Sequence, residues 1–293
     1  MIKRFLVGPG DSIRLDSFRA AFGAVLVAFM AHWWLDDALE WLTVDGFHLS
    51  AAAAGPSWLS PPPLPVSALA PFGLVFFAVL VAFTLGYRLP WSAGAALLLT
   101  VYVSHVDPLA SFTPNNLFIM GLALLTVAPA GAWWSVGGRT PAPVSVWPVR
   151  VLQATLLAMY FTSGACKVLW GDWLHDSHVL YSQVQGPYRT DAAAWLLRHL
   201  PIEAWNVMQS LSLSLELLAP VLFTVRRLRP VGFALGAAMH AGIALTMDEI
   251  GYLSLQMLCF YLLFVDERTL HRIRERVAAV GSRQIGARGS PSA

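Results

Sequence analysis

Charge is what this sequence has least of. Only 12% of its 293 residues are Asp, Glu, Lys or Arg, where a soluble domain carries about 25%. That shortage excludes an ordinary water-solvated globule. The basic residues form no continuous stripe, which excludes a phosphate-tracking nucleic-acid surface. Cysteine is nearly absent: Cys166 and Cys259 are the two, both inside apolar segments. With no CxxC and no metal-ligand spacing, neither a disulfide framework nor a metal site is expected. Lysine is limited to Lys3 and Lys167, against 17 arginines. No internal repeat is visible, which argues against a transporter built from inverted halves.

What is present is hydrophobic, at 57% of the chain. The apolar residues fall in blocks of roughly 17–25, the length needed to cross a bilayer core. The pattern predicts an all-α integral membrane bundle of about eight transmembrane helices. The spans lie near 17–34, 70–87, 91–105, 115–134, 149–170, 205–225, 231–247 and 252–265. A long loop, 35–68, separates the first two and contains a Pro-rich stretch at 58–65. The small residues at 51–55 lie too far downstream to be a signal-peptide cleavage site, so the first span is read as retained. With the N-terminus cytoplasmic, every basic residue except Lys167, Arg189 and Arg198 falls inside, 16 of 19. That lopsided split satisfies the positive-inside rule and makes both termini cytoplasmic. Trp33, Trp34, Trp133, Trp134, Trp170, Trp173 and Trp205 mark span ends. The predicted organisation is one transmembrane domain, 1–266, and a basic amphipathic cytoplasmic tail, 267–293. Two segments are expected to lie on the membrane. One is a helix capped by Thr190 and ended by Pro201. The other is the start of the tail, Glu267–Val280, with Leu270, Ile273, Val277 and Val280 on one face.

Polar side chains within the spans are costly in hydrocarbon and mark candidate sites. Lys167 stands near the outer end of the fifth span. Unlike arginine, a lysine in an apolar site can act as a neutral amine base; the alternative is a lysine snorkelling to the interface. Tyr160, Ser163, Gly164 and Lys167 share one helix face by spacing, which should look toward the bundle. Gln209, Ser212 and Glu216 align on the sixth span, with Glu216 mid-span. Gly232, Gly236 and His240 align on the seventh, and Tyr252, Gln256 and Cys259 on the eighth. Asn115 and Asn116 open the fourth, level with Lys167. Each has a plain structural alternative: an interhelix hydrogen bond for Glu216 and His240, and a helix cap for the Asn pair. Their convergence on one cavity toward the outer leaflet is the site expectation.

These residues carry a resemblance. The stretch Tyr160-Phe-Thr-Ser-Gly-Ala-Cys-Lys-Val-Leu-Trp-Gly-Asp-Trp173 resembles the lysine-bearing helix of vitamin K-dependent γ-glutamyl carboxylase. It also resembles that enzyme's bacterial relatives carrying the horizontally transferred transmembrane (HTTM) domain. Asn115-Asn116 with the following Trp133-Trp134-Ser135-Val136 is similar to a second piece of that family. Glu216, the basic turn at 226–229 and His240 are similar to a third. The resemblance implies a multi-pass enzyme of the bacterial cytoplasmic membrane. Lys167, His240 and Glu216 would be catalytic, and Asn115, Asn116, Tyr160, Trp173 and Gln256 would bind the cofactor. That cofactor would be vitamin K hydroquinone or menaquinol, with oxygen, and carbon dioxide, as co-substrates. Lys167 would deprotonate the quinol. Partners would be the lipid bilayer, the quinol, and a secreted peptide or small-molecule substrate; no nucleic acid is expected. The sequence departs from the pattern in three ways. Leu117 stands where the animal enzyme has histidine, one extra residue separates Lys167 from Trp173, and no large extramembrane domain follows Phe264. These departures point to the quinol half of the chemistry and away from carboxylation of a peptide glutamate. The competing reading is a non-catalytic membrane partner, a scaffold for peptide maturation, immunity or transport, with the Pro-rich loop as its contact.

Overall fold

The computed structural model describes residues 2–46, 48, 61–106, 113–248 and 250–288. Its helices are α1 (Ile2–Val7), α2 (Ile13–Leu42), α3 (Val66–Thr84), α4 (Trp91–His105), α5 (Thr113–Val127), α6 (Trp147–Leu169), α7 (Val179–Val184), α8 (Asp191–His199), α9 (Ile202–Thr224), α10 (Arg229–Thr246), α11 (Gly251–Tyr261) and α12 (Glu267–Arg288). A short antiparallel ribbon pairs Pro9–Gly10 with Val144–Ser145. The protein is therefore an all-α membrane protein. Among the described residues, the segments Ile13–Asp36, Val66–Thr84 and Ile202–Thr224 are long and apolar enough to cross a membrane on their own. The 58–60 part of the Pro-rich stretch and the small residues at 51–55 lie outside the described residues.

Proline sets several helix starts. Pro148 and Pro230 occupy the first turns of α6 and α10, where a missing N–H costs nothing. The core is built around α2, which packs on α3 and α11, while α6 packs on α9, α9 on α10 and α10 on α11. Phe18 and Phe22 of α2 stack with centroids 4.8 Å apart, and Phe18 meets Phe260 of α11 edge-on at 4.9 Å. Gly23 lets α2 approach α3: a Cβ there would stand 3.0 Å from the Thr84 Cα. Small residues at such contacts replace the hydrophobic drive that lipid does not supply.

One end of the bundle is tied by two buried charges. Asp16 and Arg19 lie on the first turns of α2 and are fully buried. The Arg19 guanidinium donates to the carbonyls of Phe83, Thr84 (2.6 Å) and Trp134 (2.6 Å) and to Ser135 Oγ. Asp16 accepts from the Gly131 and Trp133 N–H groups and from Ser12. By sequence, Arg19 is expected to be an ordinary cytoplasmic charge. Instead it and Asp16 clamp α2, the end of α3 and the 131–135 segment together. The clamp also explains a second departure. The fourth span was expected to run as one helix over 115–134, but α5 stops at Val127 and the chain turns. Asp16 draws the backbone N–H groups of Gly131 and Trp133 to itself, and a continuing helix would have them point elsewhere. Gly131 has φ +104°, which glycine adopts without strain.

The start of the tail docks on the same end. Leu270 is 3% exposed, His271 Nε2 lies 2.8 Å from Asp11, and Arg274 stacks on the Trp133 ring. The face expected to be uniformly apolar is split: Leu270 packs inward, while Ile273 and Val277 remain exposed. Thr190 caps α8 as expected, accepting from the Ala193 N–H, and its hydroxyl also donates to the Leu245 carbonyl.

Two outcomes are expected. Arg19→Met, which strands Asp16 in the core, should cost about 3–5 kcal/mol; unfolding in detergent, with Arg268→Met as the exposed control, measures it. For Asp11, burial pushes the carboxyl up, but hydrogen bonds from the Ile13 N–H, His271 and Trp133 outweigh it and hold it below its ordinary 3.8. A depressed carboxyl contributes stability above its unfolded value and loses it as pH falls through the folded one. Docking of α12 should therefore hold down to about pH 3.8 and weaken below it. Amide exchange over 267–279 reads this out, and Asp11→Asn should be insensitive to pH there.

Candidate functional site

The site is organised by a close helix contact. At Gly164, α6 approaches α9 so nearly that a Cβ would stand 3.0 Å from the Glu216 Cβ and 3.1 Å from the Leu217 nitrogen. One turn on, Lys167 reaches across, and its Nζ donates to Glu216 Oε1 at 2.6 Å. The lysine side chain is 24% exposed and the glutamate 7%. Trp173 covers the ammonium from the other side, its ring centroid 4.1 Å from Nζ, within cation–π range. Gln209 holds Trp173 there. Its amide donates to the Trp173 and Asp176 carbonyls and accepts from the Leu180 N–H. The second carboxylate oxygen of Glu216 is buried with no hydrogen-bond partner among the described residues.

One turn below Gly164, Tyr160 begins a second cluster. Its hydroxyl lies 2.6 Å from His240 Nε2 and 2.7 Å from the Tyr261 hydroxyl, and His240 Nδ1 lies 3.3 Å from Ser254 Oγ. A phenol has one proton to give. The assignment that uses every group has Tyr261 donating to Tyr160, Tyr160 to Nε2, and Nδ1–H to Ser254. Gly236 makes the room: any side chain there would collide with the Tyr261 hydroxyl. Tyr160 is also within electrostatic reach of Glu216, so the two clusters adjoin along α6.

A third cluster joins α4, α5 and α11. Asn115 donates to Ser104 Oγ at 3.0 Å, and Gln256 donates to the Pro114 carbonyl at 3.1 Å. The acceptor oxygens of both amides are buried and unpartnered among the described residues, as is the Thr100 hydroxyl. Asn116 and Ser163 face outward instead. For Ser163 this departs from the expectation that it shares the inward face of Lys167; the Gly164 contact turns the neighbouring position to the outside.

The candidate residues thus form three hydrogen-bonded groups. Lys167, Glu216 and Trp173 meet in one, Tyr160 and His240 in the next, and Asn115 and Gln256 in the third. An apolar cavity of about 250 Å³ between α9 and α10 is lined by none of them. Sequence reasoning missed Tyr261, which sits near the end of a span where a tyrosine reads as an interfacial aromatic. It also missed Gln209 as the residue that positions Trp173.

Tyr160→Phe would leave His240 Nε2 and the Tyr261 hydroxyl without their shared partner. The expected loss is about 1–3 kcal/mol. A double-mutant cycle with Tyr261→Phe, followed by thermal unfolding in detergent, should show the pair to be coupled.

Comparison with curated proteins, and with solved structures, gives no match. A family model does match, that of the HTTM domain, over residues 8–268. This covers the whole bundle from the β-ribbon to the start of α12, and it includes all three polar groups. The chain belongs to the HTTM domain family of membrane proteins, which is related to the vitamin K-dependent carboxylases.

Proposed function

We propose that this protein is a membrane enzyme that deprotonates and oxidises a quinol, with Lys167 as the base. The observation that carries the reading is the Lys167–Glu216 contact at 2.6 Å, closed over by Trp173. The two side chains together hold one proton between Nζ and Oε1 and carry no net charge in either arrangement. Transfer of that proton to Glu216 would leave Nζ a neutral amine, whose lone pair serves as general base once it turns from Oε1–H to the quinol hydroxyl. Glu216 orients the lysine, and Trp173 covers one side of it.

The residues present fit a quinol. Unpartnered buried oxygens on Glu216, Asn115 and Gln256 are all acceptors. Such a set suits a molecule that brings hydroxyl donors, as vitamin K hydroquinone or menaquinol does. When bound, the quinol supplies an acidic hydroxyl and two electrons for reduction of oxygen. Asn115 and Gln256 would orient its hydroxyls. His240, held by Ser254, would take or return a proton at Nε2 through the Tyr160 hydroxyl that donates to it. Carbon dioxide and a secreted peptide or small molecule are the co-substrates the resemblance brings. In this reading the bundle has about eight spans over 1–266, in a bacterial cytoplasmic membrane. Both termini and the tail 267–293 are cytoplasmic, and Lys167 lies toward the outer face. The 16 of 19 basic residues that fall on that side by the positive-inside rule support that polarity.

A second reading has its own observation. An ion pair with Glu216 and a stacking contact with Trp173 together account for Lys167 as a structural tie between α6 and α9. The protein would then be a non-catalytic partner in peptide maturation, immunity or transport.

Two measurements separate the readings. The protein purified with its lipid should release a quinone or quinol on extraction, read by mass spectrometry. Lys167→Arg should keep the ion pair and the fold yet lose quinol oxidation by at least about 100-fold, the scale of a lost general base. Full activity in that variant, or no oxidation by the wild type with quinol and oxygen supplied, would remove the base role and favour the scaffold.

A further inference from the structure

The cavity between α9 and α10 belongs to none of the polar groups, yet it ends one helical turn from Glu216. It holds about 250 Å³ beneath α7. Met208, Met239 and Met247 supply much of its wall, an adaptable apolar lining. Its two hydroxyls are already engaged: Ser212 Oγ donates to Met239 Sδ at 3.2 Å and Thr246 to the Gly242 carbonyl at 2.7 Å. Water would gain few bonds there.

The lining includes Met208 and Leu211, which are 37% and 48% exposed on the outer surface of α9. That surface meets lipid, so the cavity opens sideways into the bilayer. Gly242 lies at the mouth, where an added Cβ would meet nothing within 4 Å. An apolar void continuous with hydrocarbon fills with hydrocarbon, because unfilled walls forgo their dispersion contacts.

Trp205 adds an independent observation. It lines the cavity, is 2% exposed, and its indole N–H has no acceptor among the described residues. A buried N–H without a partner is costly, and an oxygen from a bound molecule would satisfy it. Trp205 stands in the first turn of α9, at the end of the bundle opposite the arginine clamp. Tryptophan marks the interfacial level of a bilayer, where lipid ester carbonyls also lie. Ser212 is seven residues deeper, about 10 Å along the helix.

We propose that this cavity binds one acyl chain of a bilayer phospholipid, its ester carbonyl accepting from the Trp205 N–H and its chain running inward to Ser212. The acyl chain fits better than the tail of a quinol. Lys167, Glu216 and Asn115 line no part of the cavity, and its walls carry no charged group to hold a ring hydroxyl.

The test uses the full-length protein in nanodiscs of a phospholipid with a diazirine in its acyl chain. After irradiation, the label is mapped by mass spectrometry. Label concentrated on the cavity-lining peptides of α9 and α10 is expected. Gly242→Trp, which fills the mouth, should abolish it while leaving thermal unfolding unchanged. Ala238→Phe serves the same purpose if the first variant does not fold. Label spread equally onto the lipid-facing Leu74 and Val75 of α3, or undiminished in both filled variants, would mean passing annular lipid and overturn the site. A co-purified prenylquinone that displaces the label would overturn the acyl assignment.

Discussion

Hydrocarbon offers a polar side chain no partner, so within this bundle each one must find another protein group. The interior is arranged around that demand. Asp16 and Arg19 would be ruinous singly. Together they engage six carbonyl and N–H groups at the end of α3 and in the 131–135 turn. The charges satisfy the turn, and the turn and the end of α3 supply partners for both Asp16 oxygens and both terminal nitrogens of Arg19. The helix packing above this end follows from a base that cannot slide.

The same demand makes the polar groups at the other end informative. Glycines at 164 and 236 bring helices close enough for short bonds to form between α6, α9, α10 and α11. Tyr160, His240, Tyr261 and Ser254 pair with one another and leave little unsatisfied. Glu216, Asn115 and Gln256 do not: each keeps a buried oxygen without a donor. In a medium without water, leftover acceptors, one of them beside a lysine, are a reason to look for a donor-bearing guest. The fully paired groups read as the frame that holds them.

The two inferences use opposite chemistry in neighbouring places. The Lys167–Glu216 group offers acceptors and a shared proton. The α9–α10 cavity offers apolar walls and, at Trp205, a single N–H. α9 serves both, with Glu216 and Gln209 committed to the polar side and Met208 and Leu211 to the cavity. Gln209 also pins α7, the roof of that cavity, through the Leu180 N–H. One helix thus carries residues of both a lipid-facing cleft and a buried ion pair.

The membrane character, the helical class and the identity of the polar residues worth inspecting were all legible in the order of residues. Apolar block length and the rarity of charge depend only on composition along the chain. Helical spacing put Gly164 on the face of Lys167, Gln209 on that of Glu216, and Gly236 on that of His240, because a helix repeats every 3.6 residues whatever it packs against. The end of α5 at Val127 was not legible, nor was the burial of Arg19, because both depend on Asp16 meeting a turn 115 residues away. Tyr261 was invisible for a similar reason: its meaning lies in the gap left by Gly236. Which polar groups touch, and that they form three groups and not one cavity, was decided by interhelix distances. Those distances are set by the glycine contacts, and no periodicity within a single helix encodes them.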